Sequence, residues 1–210
     1  MSIYLILSYC AVFLISVPLT IGLIRYRQLS AEMKMLTAML IVAATTELVA
    51  NVLAEYSINN LPILHFYSVL EFGFLATIYY HYFHPLIHRA VYHWSIIIFA
   101  LFALFNALYI QRITGFNTYP LILESIVMAC LALLFFRRAL KLQQALHIER
   151  TPMFWFNAGH LIYFAGNLSV FAFSNFILEI SNQLHEAVWG IHSVLLILLY
   201  ISYSIALMCR

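Results

Sequence analysis

The chain is divided into seven apolar runs, each close to the thickness of a lipid bilayer, and this division limits its fold more than any other feature. The runs are Ile3–Ile24, Met35–Leu53, Leu61–Tyr80, Trp94–Ile110, Leu121–Phe136, Phe154–Ile177 and Val188–Met208. A membrane-crossing helix needs about 20 apolar residues, within a range of roughly 17–25. The fourth and fifth runs are short, and Arg137 and Arg138 extend the fifth by snorkelling to the interface. In lipid every backbone polar group must be satisfied within its own segment, so the runs are expected to be helices. Composition agrees: 65% of the 210 residues are hydrophobic and 9% are charged. A soluble domain is about half apolar and about a quarter charged. The expected fold is an all-α integral membrane protein, a seven-transmembrane helix bundle forming one domain over residues 1–210. Soluble globular folds, disordered chains and nucleic-acid binders are excluded.

The basic residues set the expected orientation. Of the 10 lysines and arginines, Arg25, Arg27, Lys34, Arg89, Arg137, Arg138, Lys141, Arg150 and Arg210 fall on one side of the seven runs, and Arg112 on the other. Cytoplasmic loops collect Lys and Arg, so the N-terminus is expected outside and the C-terminus inside. The first run has no basic residue before it and no small-residue cleavage site after it, and it reads as a retained span rather than a signal peptide. Connections are short, so chemistry is expected between helices or on short loops. The compact loops fit the cytoplasmic membrane of a bacterium.

A faint internal similarity links "YSVLEFGFLATIYY" from Tyr67 with "HSVLLILLYISYSI" from His192. It suggests a 3+1+3 parallel repeat, an arrangement known among transporters.

Polar residues within the runs mark the candidate site. All eight acidic residues are glutamates, and Glu47, Glu71 and Glu124 fall inside runs two, three and five. A carboxylate in lipid is costly, and no Lys or Arg lies deep enough to pair with these three. Glu47 and Asn51, like Tyr67 and Glu71, are spaced i, i+4 and share a helix face. His160, Tyr163, Asn167 and Ser174 form a polar stripe on the sixth run, beside small residues Gly159 and Gly166 that permit close helix approach. The candidate binding set is Glu47, Asn51, His65, Tyr67, Glu71, Glu124, His160, Asn167 and His192, most of it around an outward-facing polar cavity. The competing reading is a set of interhelical hydrogen bonds that hold the bundle together.

No cofactor is expected. Zinc on His65, His192 and a glutamate is an alternative that spacing cannot test, because the three come from different runs. His81, His84, His88 and His93, near Pro85, read as an interfacial belt with neighbouring tyrosines and Trp94. The outline resembles the retinal proteins, but their Schiff base needs a lysine in the last span. Lys34 and Lys141 are the only lysines, both near the inner surface, so retinal is not expected. It also resembles in outline the carriers with Pro-Gln motifs and the seven-helix hydrolases with aspartate and paired histidines, yet the sequence has neither Pro-Gln nor aspartate.

Three functions remain open. A proton-linked carrier or small-solute transporter would use mid-membrane carboxyls as proton or cation sites. A sensor or receptor-like subunit would bind a ligand outside and contact a cytoplasmic signalling protein inside. An intramembrane, lipid-modifying enzyme would use Glu and His as acid, base or metal ligands. Membrane lipid is a partner in all three.

Overall fold

The computed structural model describes residues 3–84, 86–141, 147–180 and 182–209. Pro85, Arg210 and the side chains of Ser174 and Glu179 lie outside the described residues. The regular structure of the described residues is helical, with no strand, chiefly in eight α-helices: α1 (Ile3–Leu14), α2 (Ser16–Arg25), α3 (Ala31–Glu55), α4 (Leu61–Phe83), α5 (Arg89–Phe105), α6 (Thr118–Lys141), α7 (Pro152–Ile180) and α8 (Asn182–Met208). Among the described residues six stretches are long and apolar enough to cross a membrane: Ile6–Gln28, Ala31–Glu55, Leu61–Phe83, Arg89–Ile110, Thr118–Lys141 and Glu186–Met208. The chain is therefore a multi-pass membrane protein. Helix α7, 29 residues long, covers the sixth apolar run. The helices outlast the apolar runs because backbone hydrogen bonding continues into the interface, where polar side chains reach water.

The first run is not one uninterrupted helix. It breaks at Ile15, between α1 and α2. Pro18 is the cause: it has no N–H for the carbonyl four residues back, at Leu14, and its ring crowds that carbonyl. Ser16 Oγ donates to the Phe13 carbonyl at 2.7 Å, and Leu19 N resumes the helical ladder onto Ile15 O at 3.2 Å. Helix α5 ends differently, passing into a π-helical turn over Asn106–Ile110.

The chain forms two compact units. Unit 1 is Met1–Arg25 with Ile122–Arg210, and unit 2 is Tyr26–Leu121. This division cuts across the 3+1+3 grouping of the runs.

In unit 1, α7 packs along α8, and α1 and α2 pack on α8 as well. The α7–α8 approach is close because Gly159 and Gly166 lack side chains. A Cβ on Gly159 would stand 2.7 Å from Ser202 Cβ, and one on Gly166 would stand 2.8 Å from the Leu195 methyls. Phe156, Tyr203, Leu207, Met128 and Phe135 are buried. Ser8 and Ser193 hydroxyls meet at 3.2 Å, and Arg25 Nη1 donates to the Leu207 carbonyl at 2.7 Å. That last bond satisfies a carbonyl in the final turn of α8, which has no partner within its helix.

In unit 2, α3 packs on α4 and α4 on α5. Phe72 and Phe99 stack with ring centres 3.9 Å apart. Met33, Leu36, Leu40, Leu75 and Ile78 are buried. Large apolar side chains such as Ile98, Leu101, Phe13 and Leu133 are exposed, as lipid-facing positions should be.

Candidate functional site

Five of the nine candidate residues lie in unit 2. Asn51 Nδ2 donates to the Glu47 carbonyl at 2.8 Å and to Glu47 Oε1 at 3.4 Å. The Tyr67 hydroxyl donates to the Glu71 carboxylate. Both pairs have the i, i+4 spacing expected from the sequence, and both carboxylates take a neutral donor from their own helix. Glu47 stands eight residues before the end of α3 and Glu71 ten residues after the start of α4. At the helical rise these are ~12 and ~15 Å from the end of unit 2 that carries the 56–60 connection.

His65 is buried, and its Nε2 lies 2.9 Å from the Gly115 carbonyl. A carbonyl only accepts, so Nε2 carries the proton. This bond, with Asn59 Nδ2 donating to Thr114 O at 3.0 Å, ties the 111–117 segment to the start of α4. Three residues that sequence reasoning passed over join here. Asn106, Asn117 and Ser68 are buried and hydrogen-bonded in series, with Gln111 beside them. The available signal was an asparagine inside the fourth apolar run, and the same "FN" pair again at Phe116–Asn117.

The other four candidates lie in unit 1. Glu124 and His160 are buried. His160 Nε2 lies 2.7 Å from the Tyr203 hydroxyl, across the α7–α8 seam. Asn167 Nδ2 donates to the Tyr163 carbonyl at 3.0 Å, which turns its Oδ1 toward His192 Nδ1 at 2.8 Å. With Oδ1 as acceptor, His192 Nδ1 is the donor. Two imidazole pairs thus line one seam, and Tyr203 is a partner that sequence reasoning missed.

The histidine-rich turn after α4 is exposed and packs its histidines among tyrosine rings. His81, His84, His88 and His93 are exposed. Tyr80 stacks on Tyr92 at 4.5 Å and meets His84 edge-on at 5.3 Å. His88 Nδ1 accepts from Ala90 N at 3.2 Å and so caps α5. Outside the spans, Glu149 is held below the usual carboxylate range, chiefly by a hydrogen bond from its own backbone N–H and further by His147. Among the described residues no three His, Cys, Asp or Glu side chains gather as a metal ligand set.

No family model, no curated protein and no solved structure matches this chain.

Proposed function

We propose that the chain is a small proton-linked carrier. In this reading α1 and α2 count as one span, giving seven, with the N-terminus outside and the C-terminus inside the cytoplasmic membrane of a bacterium. The observation that carries it is the placement of Glu47 and Glu71. They stand at similar depth on packed neighbours α3 and α4, each held by a neutral donor from its own helix. A carboxyl whose partner is neutral can gain and lose a proton without stranding a buried cation. Where only a hydrogen bond was needed, glutamine would serve without the cost of an ionisable group in lipid.

The test is proton flux in proteoliposomes under an imposed pH gradient and potential, for the native chain and for Glu47→Gln and Glu71→Gln. Flux above empty liposomes that is lost in either variant supports the carrier. No flux in the native chain defeats it and turns attention to a sensor with a cytoplasmic partner.

A further inference from the structure

At the end of unit 2 that carries the 106–117 connection, a series of hydrogen bonds has a fixed direction. Ser68 Oγ donates to the His65 carbonyl at 2.9 Å, so its oxygen accepts from Asn117 Nδ2 at 3.0 Å. That orients Asn117, whose Oδ1 accepts from Asn106 Nδ2 at 3.2 Å. Asn106 Nδ2 spends its other hydrogen on Gln111 Oε1 at 3.0 Å. That atom is independently fixed as an oxygen, because it also accepts from Tyr119 N at 3.3 Å. Turning the Asn106 amide over would break two bonds at once.

Asn106 Oδ1 is therefore an acceptor. Asn106 is fully buried, and among the described residues nothing donates to this oxygen. Buried carbonyl oxygens almost always have a donor, and water supplies it where the protein does not. The backbone at this point is also unusual, since Asn106 opens the π-helical turn. Such turns are rare and recur at functional sites.

The series ends at Ser68, which is i, i+3 from Glu71 on α4. The two are neighbours on the helix surface, ~4.5 Å apart along its axis. We propose that Asn106 Oδ1 holds a water at the outer end of unit 2, and that water entering beside it, past Asn117 and Ser68, gives Glu71 proton access from the outer face. The proposal rests on the carrier reading and its orientation. Neither asparagine ionises, so Asn106 is a positioning residue: it fixes the water, and Glu71 receives the proton.

The test uses the full chain with Cys10, Cys130 and Cys209 replaced by alanine. Ser68→Cys in this background should react with a membrane-impermeant thiosulfonate added outside. Adding Asn106→Leu, which keeps the branched shape but removes the acceptor and both Nδ2 donations, should slow that reaction and the proton flux each by about tenfold or more, tenfold being the loss of one hydrogen bond. Protection of Ser68→Cys from the outside reagent overturns the proposal, as does an unchanged rate with Asn106→Leu. If Asn106→Leu does not fold, the Ser68→Cys reaction decides alone. A chain that moves no protons, yet shows Asn106-dependent labelling from outside, defeats the carrier reading and sustains the hydrated site.

Discussion

Asn106 and Gln111 are joined twice. Gln111 N donates to the Asn106 carbonyl at 2.8 Å, and Asn106 Nδ2 donates to Gln111 Oε1 at 3.0 Å. The first bond spans five residues and defines the π-helical turn; the second clamps it through the side chains. Gln111 is thus the residue that holds the turn closed.

Gln111→Leu should consequently destabilise the protein by ~1–3 kcal/mol, because it strands a buried hydrogen of Asn106 and removes the acceptor of Tyr119 N. Gln111→Glu keeps the oxygen and should lose less. Thermal unfolding in detergent, followed by circular dichroism, checks both.

The α7–α8 seam should tolerate no side chain at Gly159. Gly159→Ala presses against Ser202 Cβ, which is anchored to the backbone, and should cost ~1–3 kcal/mol. Gly166→Ala meets only the mobile methyls of Leu195 and should cost less. Gly73→Ala has nothing within 4 Å and should be neutral or stabilising, by ~0.5–1 kcal/mol. The order of the three melting temperatures is the measurement. Gly73 below Gly159 would contradict the packing.

His160 and Tyr203 should be energetically coupled. A double-mutant cycle of His160→Leu and Tyr203→Phe should give a coupling of ~0.6–1.7 kcal/mol, the range for hydrogen bonds between membrane helices. Additive losses would mean that the 2.7 Å contact contributes nothing.

Orientation is open to direct chemical test. In the cysteine-free background, Thr114→Cys should be modified by an impermeant reagent from outside and Arg150→Cys only after the membrane is opened. Both positions are exposed. The reverse pattern would invert the topology.

Local periodicity explains what was readable beforehand. The Glu47–Asn51 and Tyr67–Glu71 pairs need only a helix, so spacing located them. The glycine stripe at Gly159 and Gly166 was legible for the same reason, since small residues one face apart mark a close approach. The Asn106–Asn117–Ser68 series was not legible, because it depends on how a loop returns over a helix, and no period describes that. Tyr203 escaped because a tyrosine in an apolar run looks like any other apolar side chain. The break at Ile15 had its cause in view, at Pro18, but proline in a membrane helix does not always interrupt it. The grouping of the nine candidates into five and four depends on tertiary packing and has no counterpart in spacing.

The bond from Arg25 to the carbonyl of Leu207 has a consequence for the order of assembly. It joins α2 to α8, across 182 residues of chain. Unit 2 is a continuous segment, so its helices can pair while the rest of the chain is still being synthesised. The first two helices meanwhile wait in the bilayer without α8, their main partner. Completion of unit 1 is therefore a long-range event that waits for α8, and losing the turn of α8 around Leu207 would be felt in α2.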